Sequence, residues 1–349
     1  MLNDPAPGGE APRRRWRTGA IVLGLAFVLA LTCALWAWRA RVMGARAVVE
    51  HFPAGALDEY VPANAAAVLE LNLKQMASSP VFRQHLKPAL DHFLKRATDN
   101  QSWAGLIGID PFQDVEWLRV VFPGGDTTNP LWVAKGHFDP ARFQVGPGKL
   151  RPRVEGRFRV FECADKNKGG AVTLALAGDY LVACDAQPSV LDALDHAAAG
   201  KPSGPADDAL RDLLRAVDKK QCVWLAVSLA KLGRVPPLHS RAAEIVLRPV
   251  FNHARAAQGG INCGDDLQAQ FTLQARDKAA AASLERSLKS SADTARDLAD
   301  GWQLTQRLGL VKGESDLLPV LRLVGAGQVS RDGATVRLRC HLPADQLGP

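Results

Sequence analysis

Between Arg17 and Arg39 this chain of 349 residues carries no charged side chain at all, over the 21 residues TGAIVLGLAFVLALTCALWAW. The short signatures that mark common chemistries are missing as well. No GxSxG nucleophile elbow, Walker loop, GxGxxG or HExxH occurs, so hydrolysis by an activated serine, phosphate cradling and helical zinc ligation have no motif to rest on. No two cysteines stand as CxxC, which removes the usual spacing of metal and redox pairs. No catalytic, cofactor-binding or metal-binding residue is assigned from the sequence, and no cofactor is expected.

The uncharged run is the most informative thing present. At about 1.5 Å per helical residue it spans about 30 Å, the thickness of a bilayer's hydrocarbon core. Trp16 stands at one end and Trp36 and Trp38 at the other, where indoles favour the membrane interface. Residues 18–38 are therefore predicted to form a transmembrane helix. Arg13, Arg14, Arg15 and Arg17 outweigh the sparser Arg39, Arg41 and Arg46, so the positive-inside rule puts the amino terminus in the cytoplasm and the bulk of the chain outside it. A cleaved signal peptide has a shorter apolar core and a small-x-small site, whereas Trp and Arg follow this one. Cys33 continues the apolar run and reads as a small membrane-helix residue.

The formal charge of +7 and the pI near 9.2 invite a nucleic-acid reading. Yet residues 1–46 hold seven arginines against Asp4 and Glu10, so +5 of that charge flanks the anchor and the remainder is nearly neutral. No basic stripe interleaved with aromatics follows, and nucleic acid is excluded as a partner. Five cysteines lie beyond the anchor: Cys163, Cys184, Cys222, Cys263 and Cys340. An odd number cannot all pair within one chain, and buried free thiols are the default reading. Cys222 and Cys263 are the pair to test first for a disulfide.

Alternation of apolar and polar residues predicts strands at AAAVLELNL, VEWLRVVF, LWVAKGHF, RFRVFEC, AVTLALA, YLVAC, QCVWLAVSL, DLQAQFTLQA and ATVRLRCHL, with Leu69, Leu71 and Leu73 on a buried face and Glu70 and Asn72 on a wet one. Turn chemistry at Gly178-Asp179 and Asp332-Gly333 points to tight hairpins. Helices are predicted from Ser79-Pro80 onward, with Pro88 kinking or dividing the segment, and from Pro188 to Gly200. Others are expected over ALRDLLRAV, over roughly 238–257 with a turn at Gly259 and Gly260, and over a long stretch after Asp277 broken near Gly301. The pattern is α+β, with antiparallel sheets wet on one face. The segments are a cytoplasmic disordered tail (1–17), the transmembrane helix (18–38), a juxtamembrane connector (39–61), a first α+β unit (62–200), a linker (201–206) and a second α+β unit (207–349). The order of elements suggests duplication, and Leu69 and Leu71 precede Leu225 and Val227 by 156 positions. Any two strands with alternating leucines would match so.

Several groups of residues stand as candidate sites. His85 and His92 are seven apart, where helical metal ligation uses i, i+4; His239 and His253 are farther apart still. Asp110, Asp114 and Glu116 cluster in IDPFQDVEW without the calcium-loop pattern and read as turn and cap residues. Asp207 and Asp208 read as helix caps, and GPGKL at 146–150 as a turn. The tryptophans Trp103, Trp117, Trp132, Trp224 and Trp302 sit in apolar patterns and read as core.

YVPANAAAVLELNLKQMASSPVFRQHL resembles the opening of a family of uncharacterised, single-pass anchored proteins of planctomycete-type bacteria. Pro62, Ala63, Ala67, Val68, Asn72, Ser79, Pro80 and Phe82 carry the resemblance. Asp110, Pro111 and Asp114, then Gly136, Phe138 and Asp139, match its later landmarks. What the resemblance implies is location and architecture, with no activity or site residue to carry over. The expected function is that of a membrane-anchored, extracytoplasmic, non-enzymatic protein contacting an unidentified envelope protein. The alternative is an enzyme or a small-ligand or lipid binder whose site assembles from distant residues.

Overall fold

A computed structural model describes residues 55, 57–87, 107–125, 129–143, 150–164, 171–200, 203–232, 250–307 and 318–346. The tail, the anchor, most of the connector, Pro88, His92, Trp103, His239 and Gly146–Lys149 lie outside the described residues. Within them the protein is α+β, built on a large antiparallel sheet.

The chain enters through Leu57–Val61 and forms β1 (Ala65–Leu71). The strand stops there because the Asn72 side chain accepts the Gln75 N–H and caps the short helix α1 (Leu73–Ser78), so Leu73 is helical. Ser79 then takes the Phe82 N–H and opens a wide helical turn, Phe82–Leu86. Asp110 caps α2 (Pro111–Asp114), which runs straight into β2 (Val115–Pro123), β3 (Leu131–Gly136), β4 (Arg151–Glu155), β5 (Phe158–Ala164), β6 (Ala171–Ala177) and β7 (Tyr180–Cys184). Two helices follow, α3 (Gln187–Ala199), ended by a left-handed Gly200 as expected, and α4 (Asp208–Ala216). The remaining elements are β8 (Val223–Ser228), β9 (Ala254–Cys263), β10 (Leu267–Ala275), α5 (Lys278–Arg307), α6 (Leu318–Gly325), β11 (Gln328–Asp332) and β12 (Thr335–Leu342).

All twelve strands join in one sheet of order β11-β12-β10-β9-β8-β1-β2-β3-β7-β6-β5-β4, and every neighbouring pair is antiparallel. One register row crosses it without a slip: Pro152, Phe161, Leu174, Ala183, Trp132, Val120, Leu69, Leu225, Gly259, Phe271, Leu338 and Val329. The Leu69 face is covered by α1 and the Phe82 turn on one side of β1 and by α5 and α6 on the other. The opposite, Glu70 face is covered over β1–β3 and β5–β8 by Leu57–Val61, α3 and α4.

Three expectations are corrected. Residues 254–257 are strand, and Gly259 and Gly260 lie in mid-strand. A β-carbon on Gly259, whose φ is +154°, would stand 2.6 Å from the Phe271 ring, and one on Gly260 would stand 2.1 Å from the Val223 carbonyl. The glycines thus mark close approach of neighbouring chains. Helix α5 passes through Gly301, which is exposed with open space beside it; a lone helical glycine costs only about 1 kcal/mol. And β1 has both faces covered, so Glu70 is not on a wet face.

Candidate functional site

The acids singled out in IDPFQDVEW are spent locally. Asp110 accepts the Phe112 and Gln113 N–H groups at 2.9 and 3.3 Å, which is an N-cap. Asp114 accepts the Asp110 N–H at 2.7 Å and pairs with Arg142 at 3.1 Å. Glu116 pairs with Lys74 at 2.8 Å on the surface. His85 lies in the Phe82–Leu86 turn. Asp207 occupies an N-cap position without making the side-chain bond, while Asp208 pairs with Arg211 at 2.7 Å. Among the described residues no group of three His, Cys, Asp or Glu side chains is placed to hold a metal ion. Trp132 and Trp224 are buried and Trp117 is half-buried, as the apolar patterns implied.

The sequence reading missed a charged cluster inside the Glu70 face. Register pairs Glu70 with Arg119 on one side and with Trp224 on the other. The Arg119 guanidinium, 5 % exposed, donates from Nε to Glu70 Oε2 at 2.9 Å and makes a second, shorter bond from Nη2. Trp224 Nε1 donates to the other oxygen at 3.1 Å. Arg119 also lies 5.0 Å from the centre of the Trp117 ring, an attractive placement for a desolvated cation. Its Nη1 is buried with no hydrogen bond. The available signal was Glu70 as the one charge in β1 and Arg119 among the apolar residues of β2 beyond Glu116.

Beside this cluster the incoming segment is clamped. The chain has two tyrosines and both serve the clamp. Tyr60 donates to Asp192 of α3 at 2.6 Å, and Tyr180 of β7 donates to Asp58 at 2.6 Å. Burial is the largest cause raising both phenol pKa values above the ordinary 10.0, with the adjacent carboxylates adding to it. Lys135 reaches Asp58 at 3.2 Å, and Leu57 is fully buried. The chain is thus locked to the sheet just before β1.

Among the described residues a broad stretch of the Glu70 face without a covering helix runs across β10, β12 and β11, bordered by β9, which is half-covered with Gly260 and Ala256 buried. Its rows are Asn262, Gln268 and His341; Gly260, Gln270, Arg339 and Gln328; Gln258, Thr272, Arg337 and Ser330. Gln268, Gln270, Arg337, Arg339, His341, Gln328 and Ser330 are exposed. His341 pairs with Asp266 at 2.9 Å, which holds the Asp266 carboxyl below its ordinary value, and Arg337 lies 3.8 Å from Asp332. Arg339 has no ion pair among the described residues. This surface is flat, polar and hydrogen-bonding on every row. It offers no apolar groove, and the one large apolar side chain exposed among the described residues, Val154, sits at the far edge of the sheet on the other face.

No family model matches the chain, and no curated protein matches it. Among solved structures, crystal form I of TP0453 aligns with a TM-score of 0.39 at 10% identity over 87% of this chain and 96% of that one. Crystal form III gives 0.39 and 10% over 86% and 97%. A likeness at that level carries no argument about this chain.

Proposed function

We propose that this is a single-pass, membrane-anchored, extracytoplasmic protein that works without catalysis, by presenting the bare Glu70 face of β10–β12 to an envelope protein. The observation that carries the reading is that face itself. Apart from the polar edge strand β4, the rest of this face is covered among the described residues, and here a ladder of Gln, Arg, Ser and His side chains stands in solvent. Glutamine both donates and accepts, and arginine presents a planar fork of donors, so the surface suits a polar partner carrying carboxylates. No helix among the described residues is long and apolar enough to cross a membrane; the anchor is read from residues 18–38, outside them.

The sheet also supports two similar α+β units. Leu69 pairs with Leu225 at the centre, Ala67 with Val227 and Leu71 with Val223. That is the register of a two-fold axis relating β1 to β8 by the 156-position offset seen in the sequence. Outward from the axis, β1-β2-β3-β7-β6 answers β8-β9-β10-β12-β11. In each case three antiparallel strands are followed by a hairpin whose last strand docks on the third.

A photo-crosslinking residue at Gln270 in the full-length chain, in its own membrane, should capture a protein that the same probe at Asp212 on α4 does not. Equal capture at both positions would remove the face from consideration. Protease added outside intact spheroplasts should digest residues 50–349; protection would reverse the assigned topology.

A further inference from the structure

Cys222, immediately before β8, and Cys263, the last residue of β9, bring their sulfurs to 2.9 Å. Both are buried, at 0 and 2 % exposure. The ladder brings them near each other: Val223 pairs with Ile261, and at the end of the ladder Cys222 stands one residue and Cys263 two residues beyond that pair. The Cys222 carbonyl is tied to the Asn72 N–H at 2.8 Å, which fixes the backbone on that side. The Cys263 N–H donates to the Cys222 sulfur at 3.1 Å. We propose that Cys222 and Cys263 are joined by a disulfide bond in the mature protein, clasping β8 to β9 beside the centre of the sheet.

The geometry asks little of the bond. Going from 2.9 Å to a bonded length of about 2.05 Å draws the sulfurs together by about 0.9 Å, within reach of side-chain rotation alone. The other buried thiols have no such neighbour. Cys184 donates to the Asn129 carbonyl at 3.6 Å, and Cys340 pairs in register with Ala269. Burial pushes the Cys340 thiol up to about 12, whereas the hydrogen bond from Cys263, followed by backbone donors, lowers Cys222 below the ordinary thiol value. Cys222 is thus the sulfur that reacts first.

The reaction is thiol–disulfide exchange with a donor disulfide, R–S–S–R, of a small molecule or a protein oxidant. The Cys222 thiolate attacks one donor sulfur, forms a mixed disulfide and expels RS⁻. Cys263, its proton lost to solvent, attacks the Cys222 sulfur and expels the second RS⁻. The two protons end on two RSH, and two electrons pass from the cysteine pair to the donor. Because both sulfurs are buried in the fold, exchange happens as the ladder closes or when it opens, and the finished bond is shielded from reductants.

The test uses the full-length chain purified in detergent. It is incubated with oxidised glutathione in urea below its unfolding midpoint, quenched in acid, alkylated in denaturant and digested without reduction. The expected product is one cross-linked peptide pair holding Cys222 and Cys263, lighter by two hydrogens than the free peptides, with Cys184 and Cys340 alkylated. The Tm should fall by about 5 °C on reduction, and the Cys222→Ser/Cys263→Ser chain should show no such fall. Alkylation of both residues, or stable glutathione adducts without the internal bond, would overturn the assignment. As the oxidant is supplied, the result does not depend on the side of the membrane assigned above.

Discussion

At the scale of single residues, Glu70 and Arg119 decide how the centre of the sheet tolerates charge. The pair is desolvated, and breaking such a pair leaves the survivor buried without a counter-charge, a cost of about 3–5 kcal/mol. Glu70→Ala should therefore lower the urea midpoint sharply, while Glu70→Leu with Arg119→Met should cost less than either single change. Equal costs would mean the pair is solvated. Gly259→Ala makes a second case. Its β-carbon would stand 2.2 Å from the Gln270 carbonyl, so about 3 kcal/mol or more is expected. Gly178→Ala meets open space and has only its φ of +64° to overcome, about 1–2 kcal/mol. The sequence showed Glu70 as the polar member of an alternating strand, which is a correct reading of period and a wrong one of depth. Alternation says which side chains share a face and is blind to how many layers cover it.

At the scale of elements, most strands and hairpins were legible because each carries its signal locally. Asp332-Gly333 turns the chain as written, and Leu267–Ala275 alternates in burial as its residues do. Failures came where the deciding contact is remote. Residues 254–257 are helix-prone alanines and an arginine, yet they are strand because β8 and β10 on either side supply the backbone partners. The polar edge strand β4 carries Pro152 and charges that keep it from pairing further, and those same residues hid it as a strand. Gly301 looked like a stop. Since α5 continues through it, Gly301→Ala should raise the stability of the chain by up to about 1 kcal/mol, read as a small increase in urea midpoint. A loss would show that the helix needs the glycine.

At the scale of the whole molecule, the sheet's buried phenols and thiols set its response to alkali. Tyr60, Tyr180, Cys184 and Cys340 all titrate above their ordinary values, chiefly through burial. A raised folded pKa means stability is complete below the unfolded value and falls as pH rises past it. The urea midpoint should hold level up to about pH 9, where the unfolded thiols begin to titrate, and drop from there to pH 11. Tyr60→Phe should flatten part of the drop. On the acid side Asp266 and Glu285 are held below their ordinary values by His341 and Lys289, so what they add is lost only as pH falls through those lowered values, and both are exposed enough for the loss to be small.

The sequence by itself determined the class of the fold, most strands, the hairpin turns, the Asp110 cap and the uncharged run of residues 18–38, because periodicity, turn chemistry and hydropathy are local properties of a chain. It also named Cys222 and Cys263 as a pair, though without a reason in space. Only the tertiary structure decided that the two halves share one sheet, that Glu70 meets Arg119 and Trp224, that those sulfurs stand together, and that the Glu70 face of β10–β12 is left to solvent. Each depends on the register between strands as far apart in the chain as β1 and β8. Register is settled by the sum of contacts across the whole sheet.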